Sequence, residues 1–218
     1  MKEKRLLWIG YILIAGFVIW TLLIQAVDVQ PLGINGTNIG FATINCWFHR
    51  LTGVHMVIYT ITDWLGIIPV FICIIFGGIG CVQLLKRRSL LKVDYDIILL
   101  GAYYILVILG YFIFEMMPIN YRPILIEGFM EVSYPSSTTL LVLCVMPTLI
   151  EQVNRRSENE ISKKVIKAVV VCFSVFMVFG RLISGVHWLT DIIGSIMLSI
   201  GLFCIYKSAV LLYYKREN

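Results

Sequence analysis

His187 and Asp191 stand four residues apart, and Arg181 lies six residues before the histidine. On a helix, that spacing sets the carboxylate one turn along the same face, where it can accept a hydrogen bond from the imidazole. Such a bond fixes the tautomer and leaves the other ring nitrogen free to attack an electrophile. Arg181 adds a planar fork of donors suited to gripping a phosphate bidentately. A second fork, Arg122, sits in Asn120-Tyr121-Arg122-Pro123, between a turn and a proline. Ser136, Ser137 and Thr138 open an apolar stretch, and a helix beginning there offers free backbone N–H groups and a positive dipole end to an oxyanion. Together the two arginines, the hydroxyl-rich helix start and the oriented histidine describe phosphoryl transfer. This chemistry calls for no cofactor, no metal cluster and no glycine-rich phosphate loop. His49, His55 and Arg50 have no comparable company and are read as structural.

The elements that must position these residues follow from composition. The chain has 218 residues, of which 59% are hydrophobic and 14% charged, with a mean hydropathy of +0.89. Those values exclude a water-soluble globule and a disordered chain. A helix needs about 20 apolar residues to cross a hydrocarbon core, and six stretches qualify as spans: 6–24, 64–85, 97–114, 136–150, 165–183 and 188–206. The expected fold is therefore all-α, a polytopic helical bundle forming one domain over residues 1–218. The first span is followed by no small-residue cleavage pattern, so it reads as an anchor and not a signal peptide. No disulfide framework or paired metal-ligand spacing appears among the cysteines.

Lys and Arg accumulate on the cytoplasmic side of membrane proteins. With the amino terminus inside, 15 of the 18 basic residues fall on that side, and only Arg50, Arg122 and Arg181 do not. The net charge of +5 thus sets topology and implies no nucleic-acid partner. The expected location is a plasma membrane, with both termini cytoplasmic and the polar constellation on the opposite face. The long external segment 26–63 carries Phe41, Ile44, Phe48, Leu51, Val54 and Ile58 at three- and four-residue steps. They predict one amphipathic helix in the outer interface, closing the end of the bundle or acting as a lid. Asn35-Gly36-Thr37 reads as a turn.

The three polar segments resemble the signature of the type 2 phosphatidic acid phosphatase and vanadium haloperoxidase superfamily. That signature runs Lys-x6-Arg-Pro, then Pro-Ser-Gly-His, then Ser-Arg-x5-His-x3-Asp. Arg181, His187 and Asp191 match the third motif with its full spacing, Gly180 standing where the family has serine. Pro135 and Ser136 match the second, with Ser137 for glycine and Thr138 for histidine. Arg122 and Pro123 match the first, with Glu115 for lysine. The resemblance implies a metal-independent membrane lipid phosphatase, with His187 as the nucleophile that forms a phosphohistidine and Asp191 orienting it. It also implies that Arg122, Arg181, Ser136 and Ser137 hold the phosphoryl oxygens, and that Thr138 stands in the place of the general acid.

Loss of such an acid costs on the order of 10² to 10⁴ in rate, and unequally among substrates. A monoester such as phosphatidic acid must expel an alkoxide. A polyprenyl diphosphate, of undecaprenyl or farnesyl type, expels a phosphate whose second pKa is about 6. The sequence therefore predicts a preference for the diphosphate bond. Two alternatives remain open at this level: a pseudo-phosphatase that only binds lipid phosphate headgroups, and a phosphotransferase in which an alcohol replaces water. The oligomeric state is equally open.

Overall fold

The computed structural model describes residues 1–217, which form helices joined by loops and contain no strand beyond isolated bridges. The α-helices are α1 (Lys2–Ala26), α2 (Ala42–Thr52), α3 (Met56–Leu65), α4 (Ile67–Arg87), α5 (Tyr95–Met116), α6 (Ser137–Arg156), α7 (Glu160–Ile183) and α8 (Leu189–Glu217). Six helical stretches are long and apolar enough to cross a membrane: α1, α3 running into α4, and α5 to α8. Gly66, between α3 and α4, keeps helical backbone angles (φ −59°, ψ −15°), so the two act as one long rod.

The core is built around α6 and α8. Val142, Cys144, Val145 and Met146 of α6 and Leu198 and Tyr206 of α8 are buried with Leu100, Tyr103 and Tyr104 of α5 and Met177 of α7. Much of the remaining apolar surface, such as Ile12, Ile74, Leu109 and Val169, points outward, as a surface bathed in lipid would. Helices pack in such a solvent by close approach of small residues, because apolar side chains gain nothing from leaving it. α1 and α8 do this: a Cβ on Gly10 would lie 2.6 Å from Ile205 Cγ1 and 3.0 Å from the Gly201 carbonyl.

The predicted single amphipathic helix spanning Phe41 to Ile58 is instead two helices. α2 stops at Thr52, Gly53 turns with φ 69° and ψ −160°, and α3 begins at Met56. Phe41 is itself outside α2, in a left-handed conformation. The break is held by the His55 N–H, which donates to the Ser184 carbonyl (2.9 Å). Only a residue without a side chain takes the Gly53 conformation readily, and apolar spacing carries no trace of it. α2 also turns its polar side inward: Asn45 is fully buried, while Ile44, Trp47 and Leu51 are exposed.

Candidate active site

The loop before α8 makes the site. Gly185 has φ +73°, and a Cβ there would lie 2.1 Å from the Gly53 carbonyl, so the loop rests directly on the α2–α3 corner. The His49 ring donates to the Gly185 carbonyl (3.1 Å). Asn45 Nδ2 donates to Thr190 Oγ1 (3.0 Å), and Thr190 N–H returns a bond to Asn45 Oδ1 (3.2 Å). α2 thus clamps both the loop and the first turn of α8. Structural roles fit His49 and Asn45 better than chemical ones.

His187 lies in this loop, two residues ahead of α8, and is 3% exposed. The predicted His187–Asp191 hydrogen bond is not made. Nδ1 is 3.7 Å from Asp191 Oδ2 and instead donates to the Ser133 carbonyl at 3.1 Å. The cause is the helix start: α8 begins only at Leu189, so helical i, i+4 geometry does not extend back to His187. Asp191, on the first turn of α8, reaches back to accept the Trp188 N–H (2.9 Å), as an acidic residue does in a capping box. Its other oxygen accepts from Asn120 Nδ2 (3.2 Å). The tautomer is nonetheless set. A carbonyl can only accept, so Nδ1 carries the proton and Nε2 keeps its lone pair.

Nε2 faces Arg181 Nη2 at 3.4 Å. Arg181 is 1% exposed, and its Nη1 lies 3.4 Å from Asp63 Oδ1 of α3. Arg122 is buried too, with Nε 3.0 Å from Glu131 Oε2. The Tyr59 ring lies beneath both guanidinium groups, 4.9 Å from Arg181 Cζ and 5.6 Å from Arg122 Cζ. Burial first, and then the positive charges of Arg181 and Arg122, hold the His187 imidazolium well below its ordinary range. The ring is therefore neutral at physiological pH.

Arg122 Nη1 and Arg181 Nε are buried with no hydrogen-bond partner. Leaving a charged donor unpaired costs more than the ~1–3 kcal/mol of a neutral group, and two such donors near one neutral imidazole are an arrangement that an anion could satisfy.

Arg122 arrives on a tight ribbon between α5 and α6. Arg122 N–H bonds the Glu131 carbonyl, Ser133 N–H bonds the Asn120 carbonyl, and Ile126 and Phe129 exchange bonds around Glu127 and Gly128. This ribbon places Asn120, Arg122 and the Ser133 carbonyl around His187 together. Tyr134 anchors its end: the hydroxyl meets Thr21 of α1 at 2.7 Å, and the ring fills the space that a side chain on Gly194 would need.

Ser136 is fully buried. Its Oγ donates to Thr139 Oγ1 (3.1 Å) and its carbonyl accepts from Ser195 Oγ (3.0 Å). Ser137 begins α6 and lines a narrow cleft with His187 and Glu115. Thr138 faces elsewhere, lining a cavity of about 380 Å³ with Asp63, Gly66, Val70, Cys73 and Val107. Gly180, at the serine position of the third motif, has no room for a side chain: a Cβ would lie 2.6 Å from Thr62 Cγ2. Among the described residues, no group of three or more His, Cys, Asp or Glu side chains could hold a metal ion.

Sequence reasoning missed Asp63, Tyr59, Asn120 and the Ser133 carbonyl. None carried a signal of its own: Asp63 stands where any acid bordering an apolar run would stand.

A model of the PAP2 superfamily matches residues 93–215. No curated protein matches the chain. Among solved structures, the crystal structure of the first transmembrane PAP2 type phosphatidylglycerolphosphate phosphatase from Bacillus subtilis has a similar fold. It has a TM-score of 0.66 at 16% identity, over 93% of this chain and 96% of that one.

Proposed function

The chain belongs to the PAP2 superfamily, and from that premise we propose that it is a membrane lipid phosphatase working through a phosphohistidine on His187. One observation carries this: a buried, neutral imidazole points Nε2 at a guanidinium, while unpaired donors of Arg181 and Arg122 wait beside it. A phosphoryl group entering there satisfies those donors as it meets the nucleophile, and its developing charge lies in a preorganised, water-poor setting. Arg122, Arg181 and the first-turn N–H groups of α6 at Ser137 hold the phosphoryl oxygens. Ser136 anchors that first turn, and Asp191 fixes the start of α8 behind the histidine. His187 is thereby oriented through Ser133 and Trp188, and not by a direct bond to the carboxylate.

The lipid tail has a natural place. The cavity of about 380 Å³ lined by Val70, Cys73, Val107, Ile108 and Leu141 lies between α4, α5 and α6 and begins at Asp63, the partner of Arg181. The basic residues at the far end of the bundle support cytoplasmic termini and an extracytoplasmic site.

Thr138 makes no hydrogen bond to His187 and supplies no acidic proton, so leaving groups that need none are favoured. The substrate is a lipid diphosphate, with a phosphate as leaving group, in preference to a monoester such as phosphatidic acid. Phosphate release from farnesyl diphosphate and phosphatidic acid in mixed micelles tests this, with the native protein beside Thr138→His. The diphosphate is expected to turn over faster, and Thr138→His to raise monoester hydrolysis more than diphosphate hydrolysis. Equal native rates would overturn the preference. Binding of both lipids without release of phosphate would leave a headgroup-binding protein and not an enzyme.

A further inference from the structure

A phosphohistidine must be hydrolysed to complete a cycle, and this requires a base for the attacking water. Few groups around His187 can serve. The hydroxyls of Ser137 and Thr138 are poor proton acceptors, and Arg122 and Arg181 are cations. Asp191 lies on the Nδ1 side of the ring, fully buried and occupied by the Trp188 N–H and Asn120. Glu131 sits on Arg122 Nε (3.0 Å), and Arg122, unlike Arg181, has no hydrogen bond among the described residues that leads on to His187 Nε2. Glu115 shares with His187 a cleft of only about 20 Å³, less room than a phosphoryl group and a water need.

Asp63 is placed differently. One guanidinium, that of Arg181, touches His187 Nε2 through Nη2 (3.4 Å) and Asp63 Oδ1 through Nη1 (3.4 Å). A phosphoryl group on Nε2 that is gripped by Arg181 therefore lies along the edge leading to Asp63. The Asp63 side chain is 55% exposed, so it can pass a proton to solvent, and it lines the cavity of about 380 Å³ assigned to the lipid tail, which is free for water once the lipid phosphate has left.

We propose that Asp63 is the general base of dephosphorylation, a catalytic residue contributed by α3 from outside the matched segment. It rests on His187 being the nucleophile. In this step the water oxygen bonds to phosphorus, the phosphorus–Nε2 bond breaks, and its electron pair returns to Nε2. The water proton passes to the Asp63 carboxylate and then to solvent, and HPO₄²⁻ leaves a neutral His187 that has kept its proton on Nδ1. A leaving phosphate needs no acid in the first half-reaction, so one carboxylate suffices for the cycle.

The test separates the half-reactions. Native protein, Asp63→Asn, Asp63→Ala and Glu115→Gln are mixed with farnesyl diphosphate labelled in its terminal phosphate, then quenched in alkali, where phosphohistidine survives. In Asp63→Asn the phosphoenzyme is expected to form within about threefold of the native rate and to decay on the order of 10² to 10⁴ more slowly, so that it accumulates. Formate is expected to speed decay in Asp63→Ala, since a carboxylate from solution can replace the missing one, and Glu115→Gln is expected to behave like native protein. Native-like decay in Asp63→Asn overturns the proposal. So does an equal fall in both half-reactions without formate rescue, which would make Asp63 a positioning residue for Arg181. If the native protein releases phosphate with no labelled intermediate in any variant, the covalent reading itself fails and this proposal falls with it.

Discussion

The two ends of the bundle use the same residue types in opposite ways. At the end carrying Arg87, Asp94, Asp96 and Arg156, the arginines are 43% and 37% exposed, and Arg87 meets Asp94 and Arg156 meets the buried Asp96, each at 2.8 Å. Gln83 joins them, donating to Asp94 Oδ2 and accepting its backbone N–H. At the other end Arg181 is 1% exposed, stands over an aromatic ring, and keeps an unpaired N–H beside a neutral histidine. Exposed pairs contribute about 0–1 kcal/mol, whereas a buried charge with unmet donors is costly unless something answers it. Burial without full satisfaction, and not the presence of arginine, is what sets the residues of the proposed site apart from the arginines at the other end.

Substitutions sharpen or break that contrast. The largest effect is expected from His187→Ala, which removes the proposed nucleophile and should lower phosphate release on the order of 10⁴-fold or more. Arg181→Lys keeps the charge but loses the fork, and a loss of roughly 10² to 10³ in kcat is expected, as for removal of one oxyanion donor. Tyr59→Leu removes the ring under both arginines. A desolvated cation–π contact is worth about 2 kcal/mol, so kcat/KM should drop roughly thirtyfold with the fold intact by circular dichroism. At the other end Arg87→Gln should change turnover by less than about twofold and stability by under ~1 kcal/mol. A larger loss of turnover there than from Tyr59→Leu would break the comparison.

The histidine gives a test in pH. Burial, with Arg181 and Arg122 nearby, disfavours the charged ring, so ¹⁵N shifts of His187 should still be those of neutral imidazole at about pH 6.5, where an ordinary histidine is half protonated. The unfolded chain takes up that proton below about pH 6.5 and the folded chain does not. Stability should therefore fall as pH drops through this range, and His187→Gln should flatten the fall. A ring titrating near 6.5 would place His187 in an ordinary, solvated setting.

Much of the framework was legible in the sequence, because six apolar runs of membrane length leave direct traces. The family was legible through Arg122, Arg181, His187 and Asp191, whose spacing survives the replacements at Glu115, Ser137, Thr138 and Gly180. Three things were not. The tautomer of His187 depends on a backbone carbonyl, that of Ser133, and a carbonyl has no side-chain signal. Asp63 meets Arg181 across 118 residues, and at the border of an apolar run it looks like any loop acid. The break at Gly53 interrupts a helical pattern that runs through it unchanged, and the contacts of this corner with Ser184 and Gly185, distant in sequence, go with the turn. Gly180 shows the converse: a departure from the motif that becomes intelligible once Thr62 is seen occupying the space.

The most direct test of the account is the site of phosphorylation. Native protein mixed with a lipid diphosphate, quenched in alkali and mapped by mass spectrometry should carry a phosphoryl group on His187, with none in His187→Ala. A phosphoryl group on another residue, or native-rate phosphate release by His187→Ala, would contradict it.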